Sequence, residues 1–282
     1  MEKYLQIERT EINIGLKREY KFFQISDAHI AIKNENSSEE DKIEYNRSRD
    51  QWYQMKKDFA KQFGEFCDER YDDEPTVPFK KLMEYANRQN CDAIIWSGDI
   101  IDRVTKSNID YISNIKKENE IPIIYCLGNH ESLDIDGKYK NLYKKLYPVI
   151  NMPEYDKYDF GEFMVLTFDN GTKNITDEQI NFLKNQFKEN KKVLIVLHAP
   201  LRIGKFGERA IKEFGSYFVM GTDGDSENVR KFIGTIEQNI EKVICILAGH
   251  VHTNFEEEIS NDVKQITTSS ALIGMGREII LK

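Results

Sequence analysis

Five short, largely apolar runs punctuate the chain at positions 22–26, 93–96, 121–127, 193–197 and 243–248. Each is rich in Ile, Val or Phe and stops at a Gly or polar turn, as buried strands do. Between several of them apolar residues recur at helical spacing, which predicts helices over 47–69, 78–90, 106–119, 138–146, 176–187 and 227–239. Thr176 and Gln179 have capping-box spacing, with each side chain placed to satisfy an orphan amide of the first turn. Strands alternating with helices argue an α/β class. Two hairpin-like pairs, 155–160 with 162–168 and 254–259 with 263–268, make a mixed sheet the expectation rather than a purely parallel one.

Two stretches show no clear core pattern. Residues 33–49 are charged and polar, and 201–225 mix glycines with Arg, Lys and aromatics. They read as insertions at about 33–74 and 201–225, either solvated excursions or lids over a site. No repeat, low-complexity tract or linker divides the chain, so 1–282 is expected to be a single domain.

Composition narrows the classes. With 40% hydrophobic and 11% aromatic residues among 282, the chain can build a sizeable core, which excludes wholesale disorder. Lys and Arg number 40 against 48 Asp and Glu, a net charge of −8. So acidic a chain has no global field for wrapping nucleic acid, which is therefore not the expected partner. No apolar run approaches the roughly 20 residues of a membrane span. The first 16 residues alternate charged and apolar positions and lack a signal-peptide core. Cys67, Cys91, Cys126 and Cys245 form no CxxC pair and read as free thiols of a reducing compartment. The expectation is a cytoplasmic protein without membrane contact.

The chemistry rests on five histidines, every one in a motif at the end of a predicted strand. These are Asp27-Ala28-His29, Gly128-Asn129-His130-Glu131, His198, and Gly249-His250-Val251-His252; Gly98-Asp99-Ile100-Ile101-Asp102 closes another strand. Ligand sites of open α/β sheets gather beyond those carboxyl ends, so five strands deliver these residues toward one rim. Singly, each motif has a bland reading, because Asp and Asn serve turns and a lone His is often just a satisfied polar group. Together they leave no histidine for ordinary surface use. Imidazole, amide and carboxylate without thiolate suit Mn²⁺, Fe or Zn²⁺, and are too imidazole-rich for Ca²⁺ or an all-oxygen Mg²⁺ site.

As an ordered set from Asp27 to His252, the motifs resemble the calcineurin-like metallophosphoesterases. The resemblance implies a four-layer sandwich, two mixed β-sheets face to face with helices outside. It also implies two divalent metal ions (Mn, Fe or Zn). Asp27, His29, Asp99 and His252 would hold one, and Asp99, Asn129, His198 and His250 the other. Asp99 would bridge ions roughly 3.5–4 Å apart, and water trapped between them becomes the nucleophile. Counting charges, Asp27, Asp99 and that hydroxide leave about one positive charge to hold phosphate oxygens. By the same resemblance His130 gives a proton to the leaving oxygen, and Asp102 fixes its tautomer and raises its pKa. Arg103 forks onto phosphate or forms a surface ion pair.

The implied activity is hydrolysis of a phosphodiester or small phosphomonoester, with a nucleotide among the candidate substrates. A nuclease is the alternative within that class, and a non-catalytic metal-binding scaffold the alternative outside it. A ligand set without gaps speaks against the scaffold. The insertions would set substrate choice, through Trp52, Tyr53 and Phe59 in the first and Arg202, Lys205, Phe206, Arg209 and Tyr217 in the second. Loop packing explains these residues too. Glu131 either orients a ligand or caps a helix.

Overall fold

The structure, a computed structural model, describes residues 4–35, 37–63, 73–132 and 154–282. Cys67, the Phe59 side chain and the helix expected at 138–146 lie outside the described residues.

Alternation along the strands builds the layers. In β2 (Tyr20–Ile25), Tyr20 and Phe22 point to one face of the sheet and Phe23 and Ile25 to the other. β3 (Ala93–Ser97) does the same with Ala93 and Ile95 against Ile94 and Trp96. Both faces are apolar because both are covered, which is why these strands read as nearly continuous hydrophobic runs.

The first sheet has five strands in the order β1 (Gln6–Ile12), β11 (Met275–Leu281), β2, β3 and β4 (Ile123–Cys126). The second has six, ordered β5 (Tyr155–Asp159), β6 (Phe163–Phe168), β7 (Lys192–Val196), β8 (Val243–Ala248), β10 (Val263–Thr267) and β9 (Phe255–Ser260). Each sheet is mixed: β11 runs antiparallel to β2 in one, and the β5–β6 and β9–β10 pairs are antiparallel in the other.

Between the sheets lies a shared core of Phe22, Ile95, Ile124, Phe163, Val165, Leu194, Val196 and Leu247, among others. Edge-on aromatic contacts such as Tyr20 with Phe163, centroids 5.0 Å apart, close its lower end. Outside the first sheet, α2 (Thr76–Arg88) and α3 (Lys106–Glu118) bury Phe79, Leu82, Ile109 and Ile112, and the short α4 (Asn129–Ser132) follows β4. Outside the second, α5 (Asp177–Gln186), α6 (Gly204–Phe214) and α7 (Glu227–Glu237) bury Leu183, Phe206 and Phe232. The result is two mixed β-sheets flanked by helices, as the resemblance implied. The capping box at Thr176 and Gln179 is formed.

Three features differ from the sequence reading. Helix α1 (Glu39–Phe63) begins well before position 47, inside the stretch that shows no clear core pattern. The 201–225 insertion holds a helix that the sequence reading did not assign: α6 and a 3₁₀ turn, Ser216–Phe218, occupy it, and Phe206 belongs to the core. Finally, β1 and β11 were not expected as strands at all. β11 lies between β1 and β2, and its charged Arg277 and Glu278, both buried, interrupt the apolar run that would have marked it.

Candidate metal centre

The site is built on the turns that leave β2, β3, β4, β7 and β8, the last one carrying Gly249 to His252. Asp27, His29, Asp99, His250 and His252 all have left-handed backbone, with φ of 53°, 48°, 52°, 68° and 51°. Non-Gly residues rarely adopt it, and strain of this kind gathers where function requires a particular aim. Backbone bonds lock neighbouring turns together: Asp27 N donates to Gly98 O, His29 N to Asp99 O, and Gly249 N to His198 O. Gly98, at φ 95°, is required twice over, because a Cβ there would fall on the His198 ring.

Two clusters result. In the first, Asp27, His29 and His252 bring one ligand atom each to within 4.8 Å of one another; in the second, Asp99, His198 and His250 do the same. Asp27 Oδ1 lies 3.1 Å from His252 Nε2, and His29 Nε2 lies 3.2 Å from the same nitrogen. Asp99 Oδ2 and Asn129 Oδ1 stand 3.1 and 3.0 Å from His198 Nε2. All seven expected ligands are therefore at the two clusters, and Asn129 joins the second one.

The outer nitrogens decide the chemistry of the inner ones. His198 Nδ1 lies 2.9 Å from Ser97 O, and His29 Nδ1 lies 3.0 Å from Asp102 Oδ1. An acceptor on Nδ1 assigns the ring proton to that side and leaves Nε2 as a lone pair. Each cluster is then a convergence of carboxylate and imidazole acceptors, with the Asn129 amide oxygen added in the second. Such a donor set suits a cation, and the residues fit a pair of divalent ions.

Protons compete for the same atoms. Burial opposes charge on His198, but the Asp99 and Asp27 carboxylates outweigh it and push its pKa up to about 10. Burial and the neighbouring His198 push His250 down to about 3. Burial raises the Asp27 carboxyl, yet His252 overcomes it and brings the value down to about 2.

His130 sits behind the clusters. Its Nδ1 lies 3.0 Å from Asp102 O and 3.1 Å from Asp102 Oδ1, while Nε2 stands 3.9 Å from Asp99 Oδ2. Burial lowers its pKa, but Asp99 and Asp102 win and hold it at about 9. Asp102 thus serves both His130 and His29, and the His29–Asp102–His130 group, which also has metal-site proportions, is a hydrogen-bonded network.

Arg103, expected either to fork onto phosphate or to form a surface ion pair, is turned toward α1. Its guanidinium contacts Asp102 O, Gln51 Oε1 and, at 3.7 Å, Glu44 Oε2, so it faces α1. Arg202 and Arg209 also have carboxylate partners of their own, Glu208 and Asp223 for one and Glu213 and Glu257 for the other.

Several supporting residues went unassigned in the sequence. Glu131 is buried and accepts from the backbone N–H groups of Asp99, Ile100, Ile101 and Gly128 and from the Tyr125 hydroxyl. Burial and the Asp99 charge push its carboxyl up to about 7, and those donors are what make its burial tolerable. It pins the Asp99 turn to the Asn129 turn. Asn170 Oδ1 accepts from His198 N and Ala199 N, fixing the third motif. The only sequence signal for Glu131 was its place in Gly-Asn-His-Glu; Asn170 had none.

Fold and site together define a metallophosphoesterase, and the chain belongs to the calcineurin-like phosphoesterase family, whose description matches residues 20–254. Among curated relatives, a probable cyclic nucleotide phosphodiesterase from Fibrobacter succinogenes is 22% identical over 185 residues, 65% of this chain and 66% of that protein. The DNA double-strand break repair protein Mre11 of Sulfurisphaera tokodaii is 28% identical over 140 residues, 44% of this chain and 34% of that one. The chain thus spans just under two thirds of the first relative and about one third of the second. A dimetal phosphatase from Danio rerio superposes with TM-score 0.56 at 13% identity, covering 90% of this chain and 88% of that one. Purple acid phosphatase PPD1 from yellow lupin gives 0.50 at 13%, covering 93% and 45%. Its family is one of phosphoesterases, and the dimetal phosphatase from Danio rerio shares its fold. Among the described residues no helix is long and apolar enough to cross a membrane.

Proposed function

We propose that this protein is a dinuclear metal-dependent phosphoesterase acting on a small phosphodiester or phosphomonoester, with a nucleotide as the leading substrate class. The observation that carries the reading is the convergence of buried acceptors in two adjoining clusters. Asp27, His29, Asp99 and His252 would hold one cation, and Asp99, Asn129, His198 and His250 the other. Bound there, Mn, Fe or Zn ions supply Lewis acidity toward phosphoryl oxygens and acidify water near neutral pH.

The chain's own residues do the rest. Asp99 is held from behind, its Oδ1 accepting the His130 backbone N–H at 2.8 Å, so that Oδ2 is aimed at the cluster. His130, protonated at neutral pH and steadied through Nδ1 by Asp102, hands its Nε2 proton to the leaving oxygen. Arg103 acts through Asp102 and α1 as a positioning residue.

On the substrate side, the partly exposed Phe218 ring lies 5.3 Å from the His250 ring, and Tyr217 beside it is 70% exposed. Exposed aromatics at the mouth of the site suit a planar group such as a nucleobase, in keeping with the name of the Fibrobacter relative. A nuclease is the second reading, in keeping with the DNA double-strand break repair in the name of the Sulfurisphaera relative, and salt-sensitive affinity for DNA would mark it. The buried thiols of Cys91, Cys126 and Cys245 fit a reducing, cytoplasmic setting, and we read 1–282 as one catalytic domain.

The test is a hydrolysis screen in Mn²⁺ across bis-p-nitrophenyl phosphate, p-nitrophenyl phosphate and cyclic nucleotides. Turnover of at least one, abolished by a chelator, is expected. Turnover that survives chelation, or none on any substrate, would contradict the proposal.

A further inference from the structure

We propose that Ser48, on the inserted helix α1, is a positioning residue that holds the Asp102 carboxylate in the orientation His130 and His29 depend on. Ser48 is fully buried, and its Oγ donates to Asp102 Oδ2 at 2.5 Å. The other carboxylate oxygen, Oδ1, lies 3.0 Å from His29 Nδ1 and 3.1 Å from His130 Nδ1. A carboxylate is planar, so fixing one oxygen fixes where the lone pairs of the other point. Arg103 Nε, at 4.0 Å from Oδ2, is beyond hydrogen-bond reach and does not duplicate the contact.

A serine inside a helix commonly points to solvent or turns its hydroxyl back onto the carbonyl four residues earlier. Here it is aimed across 54 residues of sequence at another side chain. The rest of that helix face explains how it is held. Asp41, Glu44, Ser48 and Gln51 recur at helical spacing and all meet the segment that follows β3. Asp41 accepts from Ser107 Oγ at 2.9 Å, Gln51 Oε1 accepts from Arg103 Nη2, and Glu44 lies beside Arg103 Nε. Trp52, buried among Leu272, Ile273 and Met275, anchors the next turn. This face of α1 is therefore held at four points against the residues that carry Asp102.

The kinetic part of the test rests on the phosphoesterase reading above, and the spectroscopic part on geometry alone. In Zn²⁺-loaded, ¹⁵N-histidine-labelled protein, the Asp102-bonded Nδ1–H protons of His29 and His130 should be observable and slow to exchange. Ser48→Ala should broaden or shift both, and Ser48→Thr, which keeps the hydroxyl, should restore them. In steady-state assays with Mn²⁺, Ser48→Ala should lower kcat for alkyl phosphoesters about tenfold, the kinetic equivalent of one charge-assisted hydrogen bond. The loss on p-nitrophenyl esters, which need little proton donation, should be at least about fivefold smaller, with KM and metal content unchanged. Unaltered imidazole resonances in Ser48→Ala, or no rescue by threonine, would overturn the proposal. Equal kinetic losses on both ester types would overturn it as well. If His130→Ala itself fails to discriminate between leaving groups, the acid role of His130 fails, and the resonances alone then decide on Ser48. Should alanine disturb the fold, near-isosteric Ser48→Cys, a weak donor, is expected to shift the resonances in the same direction.

Discussion

At the residue scale, the side chains placed to hold cations are distinct from those that hold them in position. His130→Ala should leave both cations bound and slow hydrolysis by about 10²–10⁴-fold, most for poor leaving groups. Equal losses for p-nitrophenyl and alkyl esters would contradict its role as proton donor. The pKa values add a prediction with a definite sign. His198 is held at about 10, so it carries a proton at pH 7 that a cation on Nε2 must displace. Asp27, at about 2, and His250, at about 3, have already lost theirs. Zn²⁺ binding at pH 7 should therefore release about one proton per chain from this set, and apparent affinity should weaken as pH falls. Calorimetry in buffers of different ionisation enthalpy measures this, and binding without proton release would contradict it. These residues were legible in the sequence because histidine is scarce here and each one sits at a strand end. Ser48 and Asn170 were not, since a serine or asparagine that acts through another side chain leaves no pattern of its own.

At the scale of elements, the turns after the strands carry the function, and their strained backbones are what aim the ligands. Gly98→Ala should be destabilising by at least about 1 kcal/mol, from the positive φ alone. It should also weaken cation binding, because the added Cβ meets the His198 ring. Thermal unfolding and metal titration of the variant check both effects, and a protein with unchanged melting and unchanged affinity would contradict them. Helices α2, α3, α5 and α7 were readable from apolar spacing, and so was the capping box at Thr176; α6 was not. The first two turns of α1 were not. Their inward residues, Asp41 and Glu44, are polar because they meet Ser107 and Arg103 rather than an apolar core. Hydrophobic periodicity has nothing to report on such a face.

At the scale of the whole molecule, two sheets share one core, and the five strand-end turns line one rim of it. β1 and β11 escaped the sequence reading for a related reason. β1 is an edge strand alternating charged and half-buried residues, and β11 carries Arg277 and Glu278 into a buried position. Thr10 and Thr268 accept from that arginine, so the charge is accommodated by partners that no local pattern reveals. The net charge of −8 describes the surface as a whole; two divalent ions would reverse it where a phosphate has to sit. The central claim is that hydrolysis depends on two cations in adjoining clusters. Its most direct test is to strip the protein with a chelator and titrate Mn²⁺ back while following bis-p-nitrophenyl phosphate hydrolysis. The account predicts activity that rises from zero to a plateau at two equivalents per chain, and an Asp99→Asn protein that reaches no such plateau. Saturation at one equivalent, or full activity and full metal content in Asp99→Asn, would contradict it.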